Sequence, residues 1–293
     1  MDHFRVVFEP DAREVLIHQG ATLVEAASRA GIVLTTPCGG KGTCGKCAVQ
    51  VYPSGDTVLA CQHRVHGNLQ VRVPPESRFY EQKILDHGIG PVGDIEPTIV
   101  RTYRSLAGGG PILGVAVDIG TTTVVAKLAD MADGRCLATR SSLNPQTRFG
   151  DDVISRINYA RSPAHLAELQ AAIIDCVNEL IGGLCLRSQM EASSIYEACV
   201  VGNTTMNHIL LQFPLEQLGR APYRAWSVDA HDVPPTQLRL NMNPAGNVHC
   251  VENIAGFVGS DTTAAALAVG VESAVDTTLV IDIGTNGELV LGM

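Results

Sequence analysis

The chain has 293 residues, 45% of them hydrophobic and 17% charged, with a formal net charge of −9. That composition describes a globular protein of about two domains, and an acidic balance without a basic stripe excludes broad binding to a nucleic-acid backbone. The most apolar stretch, residues 111–128, is broken by Asp118 and three threonines, so no uninterrupted run reaches transmembrane length.

The opening MDHFRVVFEP is charged and strand-like and reads as no signal peptide, so a cytoplasmic protein without a membrane or nucleic-acid partner is expected. Residues 4–8 (FRVVF) alternate as a strand, and residues 14–18 (EVLIH) supply its hairpin partner. Thr22 stands three residues before Glu25, the spacing of a capping box, ahead of the helical LVEAASRAG. Gly31 is placed to stop that helix.

Four cysteines follow, Cys38, Cys44, Cys47 and Cys61, spaced C-x5-C-x2-C-x13-C. Glycines at positions 39, 40, 42 and 45 let the loop bend sharply through positive-φ conformations. The backbone N–H groups freed by such a loop can stabilise a negative cluster. Structural zinc is the main rival, but zinc sites usually pair two short C-x2-C knuckles, and only one is present. A disulfide framework is the other rival. Cys136, Cys176, Cys185, Cys199 and Cys250 are scattered and make an odd total of nine, which reads as reduced thiols. The strand-like CAVQVY and NLQVRV complete the order strand, strand, helix, cluster loop, strand, strand.

On PCGGKGTCGKC and LACQ, residues 1–75 resemble the [2Fe–2S] ferredoxins of β-grasp fold. The resemblance implies Cys38, Cys44, Cys47 and Cys61 as metal ligands, with a first gap of five like the adrenodoxin-type subgroup. Only thirteen residues separate Cys47 from Cys61, so a hairpin through Pro53, Ser54, Gly55 and Asp56 must return the chain. So short a return predicts an exposed cluster.

Residues 76–112 are rich in proline and end in a triple glycine, which reads as a linker with one short helix near residues 79–86. Either a plain surface connector or a tether for a swinging cluster domain fits this composition. At Leu113 the pattern changes to LGVAVDIGTTTVVAKLAD, two apolar strands around a turn at residues 118–123. Asp118, Gly120, Thr121, Thr122 and Thr123 offer a carboxylate, close backbone approach and hydroxyls, as a phosphate and hydrated Mg²⁺ require. Residues 279–291, LVIDIGTNGELVL, repeat the turn as Asp282, Ile283, Gly284 and Thr285. Two such turns across a cleft would grip phosphates from both sides.

The pair of turns resembles the actin, sugar-kinase and heat-shock-chaperone ATPase superfamily (ASKHA), of ribonuclease H-like fold. The fold expected is therefore α+β and α/β: a β-grasp ferredoxin domain, then an incomplete actin-like ATPase domain. Its first subdomain is placed at residues 113–259, and the connecting helix and start of the second at residues 260–293. The resemblance implies Asp118, Asp261 and Asp282 as catalytic residues, with Gly284, Thr285, Asn286 and Gly287 joining the first turn around Mg·ATP and the base for the attacking water unassigned. Asp261 reads as an N-cap or as a residue facing metal-bound waters, and Ala264, Ala265, Ala268 and Gly270 as a hinge surface or a plain alanine-rich helix. Gly202, Asn203 and Thr204 stand at a strand end, where α/β folds place ligands. Residues 143–153 are a site loop or a capped connector, and His208 reads as structural.

Together LNPQTRFGDDVISRI, GNTTMNH, IAGFVGSDTTAAALAVG and VIDIGTNGELVL closely resemble the reductive activators of corrinoid proteins. That resemblance implies ATP-dependent delivery of one electron from a [2Fe–2S] cluster to a Co(II) corrinoid, regenerating Co(I). The implied partners are the corrinoid protein of a methyltransferase system and an upstream low-potential electron donor. The linker is too short for the further small domain usual in that family. The sequence stops before the adenosine motif, so a truncated chain with weak or absent ATP hydrolysis is expected. An electron-transfer protein with a vestigial ATPase half is the alternative. An activator of acyl-CoA dehydratases would instead carry a [4Fe–4S] cluster and no fused ferredoxin, and a sugar or acetate kinase would leave the cysteines without purpose.

Overall fold

The computed structural model describes residues 3–74, 77–78, 98–284 and 287–292. The helix expected at residues 79–86, and Thr285 and Asn286, lie outside the described residues. The chain divides into two compact units, residues 1–84 and 85–293.

In the first unit β1 (His3–Glu9) and β2 (Arg13–His18) form the expected hairpin. Alternation puts Val6 and Phe8 in the core and turns Arg5 outward to Glu14. Helix α1 (Leu23–Arg29) starts at the predicted capping box. The Glu25 N–H donates to Thr22 Oγ1 at 3.2 Å, and the Thr22 N–H donates to Glu25 Oε2 at 2.6 Å. Strands β3 (Ala48–Tyr52), β4 (Asp56–Leu59) and β5 (Leu69–Arg72) complete a mixed sheet of order β2-β1-β5-β3-β4, with β1 and β5 parallel. The fully buried Phe8, Ile17 and Leu23 each contribute roughly 2 kcal/mol of apolar burial to this core.

Both described ends of the stretch read as a linker are packed. Ser77 Oγ donates to the Ala48 carbonyl and Arg78 pairs with Asp11, whose carboxyl is held below the usual carboxylate range by that guanidinium. In the second unit α2 (Thr98–Tyr103) stacks Tyr103 on Tyr196 with ring centroids 4.9 Å apart, and Tyr103 Oη donates to Glu197 Oε1 at 2.6 Å.

The second unit is built on the meander β6 (Leu113–Ile119), β7 (Thr123–Asp130) and β8 (Cys136–Leu143). A 3-10 turn (Pro145–Arg148), α3 (Val153–Tyr159) and α4 (Pro163–Ser188) lead to β9 (Ile195–Gly202), which returns parallel to β6. Then come α5 (Thr204–Leu211), β10 (His231–Val233), α6 (Pro235–Leu238) and β11 (Asn247–Cys250). The sheet order β10-β11-β9-β6-β7-β8, antiparallel on one side of β6 and parallel from β6 to β11, is that of a ribonuclease H-like subdomain. The sequence reading did not mark α4. By length and composition it could cross a membrane, but Leu169, Ile173, Val177, Leu180 and Leu184 bury its apolar stripe in the core beside β7 and β8.

Helix α7 (Ser260–Val269) and the hairpin β12 (Thr278–Ile283) and β13 (Gly287–Gly292) close the described chain. The hairpin is a separate two-stranded sheet, with Leu279, Ile281, Leu289 and Leu291 exposed on one face. The alanines of α7 are half-buried or exposed.

Candidate functional site

Two constellations, one in each unit, collect the residues singled out above. In the first unit Gly39, Gly40, Gly42 and Gly45 all adopt positive φ, between 60° and 79°, as the loop required. The four thiols fall into two pairs. Cys38 Sγ and Cys44 Sγ lie 3.3 Å apart, and Cys47 interacts with Cys61 by side-chain hydrogen bonding and charge and with Cys44 by charge alone. The backbone N–H of Cys44, its thiol, and the N–H groups of Thr43 and Gly42 hold the Cys38 thiol down to about 6. Burial pushes Cys47 up.

Among the described residues no three His, Cys, Asp or Glu side chains form a group suited to a single ion. Two thiol pairs, rather than one tetrahedral set, fit a two-iron cluster better than zinc. The thiols expected to hold the cluster differ in burial. Cys38 and Cys44 are half-buried, but Cys47 and Cys61 are buried. The reason is that the turn carrying Cys61 is pinned inward: the Ala60 N–H donates to the Cys47 carbonyl at 2.9 Å, and the Ala60 carbonyl accepts from Val24 at 3.3 Å.

In the second unit the parallel pairing of β6 with β9 sets Asp118 beside Val201 and Ile119 beside Gly202, so both strands end at one edge. The turn of Gly120, Thr121 and Thr122 before Thr123, the start of α5 at Asn203 and the start of α7 at Gly259 all open there. Backbone approach is close. A Cβ on Gly202 would lie 2.6 Å from the Ile119 carbonyl, and one on Gly259 would lie 2.3 Å from the Gly202 carbonyl. Ser260 Oγ ties α7 to β9, accepting from the Gly202 N–H at 3.1 Å, and Asn207 Nδ2 donates to it at 2.8 Å.

The first turn is gripped from behind by the 143–153 stretch and by Arg156, which the sequence reading did not single out. Arg156, fully buried on α3, donates Nη2 to the Thr121 carbonyl at 2.5 Å and Nε to Gly150 at 3.0 Å. Asn144 Nδ2 donates to the Gly120 carbonyl at 2.8 Å, and Gln146 Nε2 to Leu169 at 3.0 Å. Desolvation pulls Arg156 down to about 10, still charged at neutral pH. Its position was encoded: Val153, Arg156 and Ile157 follow i, i+3, i+4 spacing, which puts the arginine on the apolar stripe. Residues 143–153 thus brace the turn from inside.

Asp118, Asp261 and Asp282 sense one another electrostatically. Desolvation first, then the charges of Asp261 and Asp282, push Asp118 up to about 6. Asp118 still reaches solvent, so this is the crowding of carboxylates at an open strand end rather than in a sealed interior. Asp261 is raised by desolvation. It is not the N-cap of α7, a position held by Gly259; its Oδ1 accepts from the Thr262 N–H at 2.8 Å.

Asn203 and Thr204 turn their side chains inward, Nδ2 to the Phe257 carbonyl at 2.9 Å and Oγ1 to Ala255 at 2.6 Å, leaving backbone N–H groups as their donors to a ligand. Three buried oxygens, Thr205 Oγ1, Asn207 Oδ1 and Thr262 Oγ1, lack hydrogen-bond partners among the described residues. All three sit at the junction of β9, α5 and α7. Gly284 and Gly287 flank the second turn, at the ends of β12 and β13. Acidic side chains beside open helix starts fit a hydrated Mg²⁺ and phosphate oxygens.

Residues 6–66 match the 2Fe-2S iron-sulfur cluster binding domain, and residues 113–274 match the RACo middle region. The corrinoid activation enzyme RamQ of Eubacterium limosum is 30% identical over 98% of this chain and 59% of its own length. The solved structure of a reductive activator for corrinoid, iron-sulfur protein superposes with a TM-score of 0.61 and 30% identity, over 99% of this chain and 61% of the other. The F subunit of a Na(+)-translocating NADH-quinone reductase from Haemophilus influenzae is 30% identical over 22% of this chain. The chain therefore spans about three-fifths of the two longer relatives' lengths. With more than half of its residues in that match, the chain belongs to the RACo middle region family, joined to an N-terminal 2Fe-2S iron-sulfur cluster binding domain.

Proposed function

We propose that the chain is the electron-delivering and nucleotide-binding part of an activator that returns a corrinoid protein from Co(II) to Co(I) with the aid of ATP. The observation that carries this reading is the union, in one chain, of two thiol pairs on a positive-φ loop with a braced DIGT turn facing two further aspartates. Cys38, Cys44, Cys47 and Cys61 would hold the [2Fe–2S] cluster. When bound, the cluster supplies one-electron transfer and Mg·ATP supplies the differential binding energy.

The chain's own residues do the rest. N–H groups of the cysteine loop stabilise thiolate charge. Arg156 and Asn144 fix the carbonyls of Thr121 and Gly120, so the N–H groups and hydroxyls of the turn stay oriented toward the cleft. Asp118, Asp261 and Asp282 would hold Mg²⁺ through its waters, because no three of them converge as direct ligands. ATP can promote an unfavourable electron transfer only by binding the partner-competent and partner-releasing states unequally. The free state of all nine cysteines fits a reducing cytoplasm, and the electron would come from a low-potential donor.

The test is anaerobic mixing of the reduced protein with a Co(II) corrinoid protein, with and without Mg·ATP, followed by absorbance of Co(I). ATP-dependent Co(I) is expected. Its absence from a chain of the relatives' full length overturns the reading.

A further inference from the structure

The segment between α5 and β10, residues 212–230, takes no part in the cleft chemistry, yet it is both exposed and firmly held. The Tyr223 N–H donates to the Arg220 carbonyl at 2.7 Å, and the Asn253 N–H to Val228 at 2.8 Å. His208 Nε2 accepts from the N–H groups of Trp226 at 3.1 Å and Ser227 at 3.4 Å, which leaves Nδ1 to donate to the Thr204 carbonyl at 2.8 Å. Gly256 packs under the segment so tightly that a Cβ there would lie 1.8 Å from the Tyr223 carbonyl.

What this scaffold presents outward is unusual. Trp226, the only tryptophan of the chain, is 58% exposed and Tyr223 is 49% exposed. Large aromatics on a rigid loop, beside arginines, have the composition of protein-binding hot spots. Two concavities of about 520 and 400 Å³ adjoin the loop and share Glu216 and Arg220. The larger has an apolar floor that includes Ile157, Leu166 and Leu215. Charge in the two linings comes from Arg161, Arg220 and Arg224 against Glu216 alone, a local excess of +2 in a chain of net charge −9. Because Thr204 opens α5 at the cleft edge and also accepts from His208, the loop hangs from the segment that faces the phosphates.

We propose that this loop and its two concavities form a docking surface for a folded partner protein that presents carboxylates around an apolar anchor. Resting on the reading above, that partner is the corrinoid protein. Aromatic anchors and a cationic rim seat it next to the nucleotide cleft, where occupancy of the cleft can be felt.

The probe is a purified Co(II) corrinoid protein, with its dissociation constant measured by interferometry at low and high salt. Iron content and the unfolding midpoint verify each variant. Trp226→Ala is expected to weaken binding about 10-fold or more. The double change Arg220→Glu with Arg224→Glu is expected to do the same at low salt and less at high salt. Arg224→Glu alone serves should the double variant fail to fold. Hydrogen exchange of the wild-type complex is expected to slow across residues 219–230. Binding that is unchanged in all variants, with no protection there, overturns the docking surface and leaves the function standing. No binding by the wild-type chain overturns both. A concentration-dependent dimer broken by the same substitutions would assign the surface to a second copy and overturn the proposal.

Discussion

The two DIGT turns share four residues and almost nothing else. The first, after β6, lies in a six-stranded sheet and is held from behind by Arg156 and Asn144, both fully buried. The second, after β12, belongs to a two-stranded hairpin whose Ile281 and Leu289 face solvent. Identical letters thus stand in two different settings among the described residues. A turn can present N–H groups to a phosphate at low cost only if its carbonyls are already fixed, and among the described residues that bracing is seen at the first turn.

Substitutions at the brace should separate the two turns most sharply. Arg156→Met leaves the Thr121 and Gly150 carbonyls without their donor, and should cost about 3–5 kcal/mol in urea unfolding of the second unit. A loss below about 1 kcal/mol would show that the turn holds itself.

Acid gives the next largest effect. His208 stays neutral in the fold, because desolvation lowers it from 6.5 to about 4. The unfolded chain therefore takes up the proton first as pH falls. This contribution to stability is intact above pH 6.5 and is lost progressively between 6.5 and about 4, by roughly 3 kcal/mol in all. Asp118, raised to about 6, opposes that slope, so the wild type must be compared with His208→Gln. Equal slopes in the two proteins would remove His208 as the source of this pH dependence.

In the first unit Thr22→Ala removes one arm of the capping box and should cost about 1 kcal/mol in thermal unfolding. On the hairpin the expectation is smallest. Leu289→Ser, at a residue 70% exposed, should change stability by no more than about 0.5 kcal/mol. A larger loss would mean that the second turn is supported after all.

Legibility followed the range of the interactions. Thr22 with Glu25, the glycines of the cysteine loop, the hairpin through Pro53 and the strands around Asp118 are local devices, and each was readable within a few residues. Arg156 was not read because an arginine in a polar-looking stretch is ordinarily solvated, and only the approach of α3 to the first turn gives it acceptors. Its place on the α3 stripe was the one available signal. Helix α4 went unmarked although its apolar residues recur at helical spacing. Asn203 and Thr204 were rightly placed at a strand end, but their inward side chains depend on the 253–259 turn, some fifty residues away. The unequal burial of the four thiols likewise depends on α1 meeting the Ala60 turn.

The most direct test is the Co(I) yield of Asp118→Asn in the anaerobic assay with Mg·ATP, set beside the wild type of the same length and iron content. The expected result is normal reduction of the protein itself and loss of the ATP-dependent increment in Co(I). An undiminished response to ATP in Asp118→Asn would contradict the first turn as the nucleotide-holding element.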